Sequence, residues 1–241
     1  MIPALLGITF RALLSRRRTL LLALVGGLLV LITVVYGLGN PPEAESGRVM
    51  QRLLGDFGLG VLLPLVAVIV GTAAVGSELD DGTIVYLLAK PIERRWIILV
   101  KLVVAWLVVV ILVAPAIAVS ALIGQGDTTM AVGYAAAATF GALEYTAVFL
   151  ALSLVTSRAL VIGLAYVVVW EGVVAGLFAG TRVLSVRQHA MAVADALGGN
   201  AAPSAQVDPA VAVPVGLAIT LLATVLAIRR LERVELRGET A

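Results

Sequence analysis

Charge is scarce in this sequence and concentrated where it occurs. The stretch "GSELDDGTIVYLLAKPIERRWIILVK", residues 76–101, holds Glu78, Asp80, Asp81, Lys90, Glu93, Arg94, Arg95 and Lys101 between two apolar runs. Charges of both signs around the apolar set "IVYLL" suit two kinds of chemistry. One is a solvated turn whose arginines only enforce topology. The other is recognition of a soluble partner, with the charges selecting and orienting it and the leucines supplying buried contact. The first needs only a few Lys and Arg; it does not account for Glu78, Asp80 and Asp81, or for the apolar set. Two more carboxylates, Glu144 and Glu171, lie inside apolar runs. An ionised carboxylate at mid-membrane costs at least about 2.5 kcal/mol. Such a group faces a partner, a cavity or water, or stays protonated. Glu144 and Glu171 are therefore candidates for proton carriage, substrate contact or gating, or for hydrogen-bonded links between helices.

Other chemistry is poorly supplied. Cysteine is absent, which excludes disulfides and thiolate metal sites. The single histidine, His189, sits in "VRQHAMAVADAL" and reads as a surface or interhelix residue; with Asp195 it makes no metal-ligand spacing. Ser153, Ser157 and Ser185 lie in no Gly-x-Ser-x-Gly motif. The two lysines, Lys90 and Lys101, follow Ala89 and Val100, so no phosphate-binding G-x-x-x-x-G-K-[ST] loop exists. The chain is expected to carry no catalytic, cofactor or metal site, and nothing in it points to nucleic acid.

The elements that position these residues follow from composition. Of 241 residues, 61% are hydrophobic and 13% charged, and the mean hydropathy is +1.09. Ordinary soluble domains carry about 25% charged residues. The apolar runs are unbroken rather than alternating, which points to membrane helices and not to a β-barrel. The expected fold is an all-α integral membrane protein, a single transmembrane domain over 1–241 with six spans near 19–38, 57–76, 97–123, 131–155, 159–180 and 210–228. Each is long enough to cross a hydrocarbon core of about 30 Å. Residues 2–18, with Leu6, Phe10, Leu13 and Leu14 at helical spacing and Arg16–Arg18 behind them, predict an interfacial amphipathic helix. The run after Arg18 is too long for a signal-peptide core and lacks a small-residue cleavage site, so it reads as a retained span. Thirteen of the seventeen Lys and Arg fall on one side, which predicts that both termini, the tail 229–241 and the stretch 76–101 are cytoplasmic.

Within the cytoplasmic stretch, Asp81 or Thr83 can cap a short helix, Ile84, Val85, Leu87 and Leu88 give it an apolar face, and Pro91 ends it. Trp96 then anchors the entry to the third span. The stretch from Glu78 to Arg94 resembles the cytoplasmic loop of permease subunits in the type-2 exporter family of ATP-binding-cassette transporters. The matching residues are Glu78, Gly82, Thr83, Leu87, Leu88, Pro91 and Arg94; Glu93 stands where a Ser is common. A second stretch, "YVVVWEGVVAGLFAGTRVLSVRQHA", is similar to the fifth span and following segment of many such permeases. The resemblance implies that 78–90 is a coupling helix seated in a cytoplasmic ATPase, with Asp81 and Arg95 beside the matched residues. It implies two ATPase copies that bind ATP and Mg, a second permease chain, identical or homologous, and export across the plasma membrane, here of a bacterium. Two other readings stay open: a proton-coupled secondary transporter using Glu144 and Glu171, and a membrane anchor that recruits a cytosolic complex.

Overall fold

A computed structural model describes residues 16–39, 42–80, 93–125, 127–199 and 205–234. Residues 2–15 of the expected interfacial helix and most of the expected coupling helix lie outside them; Arg16–Arg18 begin the helix of the first span. All regular elements among the described residues are helical. They are α1 (Arg16–Leu38), α2 (Glu43–Arg52), α3 (Leu63–Asp80), α4 (Arg94–Gln125), α5 (Thr128–Val155), α6 (Ala159–Ala165), α7 (Ala175–Leu177), α8 (Val186–Leu197) and α9 (Pro209–Val234). Two wider π-wound stretches, Leu53–Leu62 and Tyr166–Val174, make α2 continuous with α3 and α6 with α7. The wider winding is visible where Leu63 N–H bonds Gly58 C=O and Ala175 N–H bonds Trp170 C=O. A 3₁₀ turn, Ala179–Leu184, precedes α8.

Among the described residues, six stretches are long and apolar enough to cross a membrane: Leu20–Leu38, Glu45–Gly76, Arg94–Gly124, Thr128–Val155, Ala159–Leu177 and Pro209–Arg233. The second is longer than its apolar run because α2, polar in sequence, joins it without a break. Residues 43–52 are thus helix rather than turn, started by Pro42, whose C=O accepts from Glu45 and Ser46 N–H. At the same end of the bundle Asp127 caps α5 by accepting from Thr129 N–H at 2.8 Å.

α5 is the hub. It packs against α3, α4, α8 and α9, and Tyr134, Ala137, Ala138, Ala142, Tyr145 and Phe149 along it are buried. Small residues permit the closeness. A Cβ on Gly133 would sit 2.6 Å from the backbone of Gly198, and one on Gly216 of α9 would sit 2.2 Å from the Glu144 carboxylate. Lipid is as apolar as leucine, so close van der Waals packing between small residues is what holds membrane helices together. Of the Gly26–Gly27 pair, only Gly26 meets a neighbour, with its Cβ position 3.2 Å from Ala116 Cβ. Pro115 is accommodated inside α4. The buried Ser120 hydroxyl nearby makes no hydrogen bond among the described residues, so it does not repair the backbone there. By contrast α1, the fifth span and α9 leave long apolar faces exposed, including Leu24, Leu28, Val168 and Leu222.

The Gly133 contact is backbone against backbone and has no flexible side chain to give way. Gly133→Ala is expected to destabilise the purified protein by about 1–3 kcal/mol, read as a lowered thermal midpoint in detergent. Gly27→Ala, which meets nothing within 4 Å, is expected to leave that midpoint unchanged.

Candidate functional site

Two polar assemblies stand out, one at each half of the bundle. The first brackets the charged stretch between the second and third spans. Lys101 is in α4, two turns inside its start, and is 1% exposed. Its ammonium donates to Glu78 Oε1 at 2.6 Å and to the C=O of Ala74 at 2.7 Å. Lys101 is therefore a charge within a span and not a loop charge. The pair ties the end of α3 to the beginning of α4, the two helices that flank residues 81–92. Arg94 and Arg95 open α4, and Arg95 pairs with Glu93 in the open, where such a pair contributes little. Trp96 is half-exposed beside them, in keeping with an interfacial anchor. Asp81, Gly82, Thr83, Leu87, Leu88 and Pro91 lie outside the described residues.

The second assembly gathers Glu144, Glu171 and His189. Glu144 is eleven residues from the end of α5, about 17 Å along the axis. Glu171 is twelve residues from the start of α6, a similar depth, inside the π-wound stretch. Between them comes α8. His189 meets Glu144, Ala190 lies against Gly141, and Gly198 lies against Gly133. These pairings run in opposite directions along the two helices. α8 is thus antiparallel to α5, starting at the depth of Glu144 and climbing outward. After α7 the 3₁₀ turn carries the chain back inward. Residues 178–197 accordingly form a re-entrant hairpin.

A helix that begins at such depth exposes unsatisfied N–H groups and the positive end of its dipole. Glu171 answers both. Its carboxylate accepts from the Val186 N–H at 2.9 Å, from the Ser185 hydroxyl, and from the Tyr166 hydroxyl at 3.3 Å. Ser185 in turn accepts from Gln188 N–H at 3.2 Å. Anionic groups bind well at helix N-termini for this reason, and here the anion comes from the protein's own fifth span.

His189 closes the network. Its Nε2 lies 2.8 Å from the C=O of Val183 and its Nδ1 2.9 Å from Glu144 Oε2. A carbonyl oxygen only accepts, so Nε2 carries a hydrogen. The Nδ1–Oε2 contact then needs one proton of its own, held by the imidazole or by the carboxyl; without it two lone pairs would face each other. Both side chains are fully buried. The other Glu144 oxygen, Oε1, has no hydrogen-bond donor and abuts α9 at Gly216. On the outer side of this cluster Arg187 pairs with Asp56, linking α8 to the second span. Among the described residues, no group of His, Asp and Glu is placed to hold a metal ion. Asp195 accepts instead from Ala205 N–H at 2.9 Å.

The partnership of His189 with Glu144 is what the local sequence conceals. The two are far apart along the chain, and only the antiparallel seating of α8 joins them. One signal was present: Val186, Ala190 and Ala194 recur every four residues and are all buried, which marks α8 as a helix pressed on a neighbour along one face.

The family described as "ABC-2 family transporter protein" matches residues 14–186. The chain belongs to this ABC-2 family. It is a multi-pass membrane subunit, a permease of an ABC transporter. The match takes in five spans, the charged stretch 76–101 and both buried acidic residues, and ends at the first residue of α8. No curated protein is similar enough to the chain to count as a match.

In this ABC-2 permease the buried pair lends itself to a double-mutant test. His189→Leu leaves Glu144 buried without its partner and is expected to cost about 3–5 kcal/mol, as measured by thermal unfolding in detergent. Adding Glu144→Leu removes the orphaned carboxyl, and the double variant is expected to recover a large part of that loss. Simple addition of the two single effects would show that the pair is not coupled.

Proposed function

We propose that the chain forms the membrane path of an ATP-driven exporter and is moved by a separate cytoplasmic ATPase that docks on residues 78–95. The observation that carries this reading is the buried Lys101–Glu78 pair, which fastens together the two helices entering and leaving the coupling stretch. A push on that stretch would be delivered to α3 and α4 as one body, and both pack directly on the hub helix α5. In this reading ATP, with Mg, closes a pair of ATPase subunits and biases a bistable membrane element toward its other state. Glu78, Asp81, Arg94 and Arg95 orient the ATPase, Gly82, Thr83 and Pro91 shape the coupling helix, and Leu87 and Leu88 fill its contact. A second permease chain, identical or homologous, completes the path, and the exposed faces of α1 and the fifth span offer apolar surface for it or for lipid. The basic bias of the loops supports cytoplasmic termini in the plasma membrane.

Glu144 and Glu171 take a gating role in this scheme. Both are engaged with the re-entrant hairpin, one through His189 and one through the start of α8. They tether the outer half of the bundle to the fourth and fifth spans and would release or shift α8 when those spans move. A proton-coupled carrier would use the same residues, but the ABC-2 membership of the chain favours the ATP-driven scheme.

Two substitutions test the coupling. Leu87→Asp with Leu88→Asp is expected to abolish co-purification of the ATPase while the chain stays in the membrane. Lys101→Met is expected to keep the ATPase bound but to lower transport per ATP hydrolysed at least about tenfold, by analogy with misplacement of a working element. Undiminished ATPase association in the first variant would refute docking at this stretch.

A further inference from the structure

At the membrane edge, α4 begins beside the place where α9 ends. Between them lies an open cleft of about 500 Å³, lined by Glu93, Arg94, Arg95, Val225, Ile228, Arg229 and Glu232. Its walls change character with depth. Val225 and Ile228 continue the apolar run of α9, and Arg229 and Glu232 come after that run gives out. Half-exposed Trp96, one residue beyond Arg95, marks the same level as the membrane–water boundary. The side chains around the mouth are three arginines and two glutamates, and Arg95 is already occupied by Glu93. Arg229, in contrast, makes no ion pair or hydrogen bond among the described residues.

The geometry points to a binding site for one anionic phospholipid: the acyl chains lie along Val225 and Ile228, and the phosphodiester sits against Arg229 at the mouth. The order of groups in such a lipid, apolar chains and then a phosphate at the interface, is the order of the cleft wall. Arginine presents a planar fork of donors that suits phosphate oxygens. The start of α4 adds its positive dipole end, and basic recesses between membrane helices are suited to anionic headgroups. Net positive charge around the mouth disfavours a headgroup that brings its own cation, which sets the preference for phosphatidylglycerol over phosphatidylcholine. Because α4 starts with the same residues that leave the coupling stretch, a lipid held here would steady the α4–α9 junction next to Glu78 and Lys101.

The test uses the full-length chain, with its ATPase if that co-purifies. The protein is placed in nanodiscs of equal phosphatidylglycerol and phosphatidylcholine, released into the gas phase, and its retained lipids are counted by native mass spectrometry. The wild type is expected to keep one phosphatidylglycerol in preference to phosphatidylcholine. Arg229→Ala is expected to lower that retention about fivefold, one basic contact's worth. Arg229→Lys should retain most of it, and Arg233→Ala, outside the cleft lining, should match the wild type. Equal phosphatidylglycerol retention in the wild type and Arg229→Ala would overturn the proposal, as would displacement by millimolar inorganic phosphate. A loss of ATPase association in Arg229→Ala with lipid counts unchanged would overturn it in favour of a protein occupant.

Discussion

The carboxylate of Glu171 on the first turn of α8 is the contact on which the outer half of this protein depends. Helix ends carry unpaired backbone groups, and a spanning helix normally presents them to water at the membrane surface. α8 cannot, because its first residue lies at the depth of Glu171 and Glu144. Left uncapped, that end would hold orphan donors in a medium that offers no partner, at several kcal/mol each. A carboxylate from the neighbouring span satisfies the Val186 N–H and the Ser185 hydroxyl together. The cost of burying Glu171 and the cost of burying a helix terminus are thus offset by each other. Each alone would be unfavourable, which is why neither residue has an obvious reason to be where it is until both are seen.

That capped terminus fixes where α8 begins, and the close approach of Gly133 to Gly198 fixes how it climbs. Between these two points α8 seats Ala190 against Gly141, His189 against Glu144 and Met191 against Gly55. The π-wound stretch that carries Glu171 belongs to the same logic. A wider turn changes the angular position of each following side chain, so the carboxylate is aimed at α8 without the fifth span having to rotate as a whole. Extended π winding is rare and tends to mark functional positions, and here it coincides with a buried acid. The π-wound stretch of the second span carries Asp56, the partner of Arg187 on the same α8. Both irregular stretches therefore aim an acidic residue at one short helix.

The sequence was most informative where one apolar run makes one element. All six spans could be read from run length and hydropathy, because a lipid-facing helix must be apolar along its whole length. Glu144 and Glu171 could be picked out for a related reason: a carboxyl inside such a run is costly enough to require a partner. The identity of that partner was not legible. His189 and Ser185 lie in a twelve-to-fifteen-residue polar segment whose composition suits an exposed loop, and periodicity cannot separate a surface helix from one folded back against the bundle. Lys101 was misplaced for the opposite reason. Near the mouth of a span a lysine counts toward the basic face, yet its ammonium turns inward to Glu78 and to the carbonyl of Ala74.

The two polar assemblies also differ in kind, and the difference bears on motion. Glu78–Lys101 joins two adjacent helices through a pair that is half open to water, since Glu78 is 29% exposed while Lys101 is buried. It can keep α3 and α4 together while both shift. The Glu144–His189–Glu171 assembly joins three elements, the fourth span, the fifth span and α8, with every charged member buried. Its geometry has few intermediate positions, because moving α8 by even one residue would break the cap and the Nδ1–Oε2 contact together. Packed interfaces with this property switch between discrete arrangements rather than deform gradually. The hub helix α5 touches both assemblies, through α3 and α4 on one side and through Glu144 on the other. A tied pair of helices, a close-packed hub of small residues and a fully buried polar latch are thus in direct contact along α5.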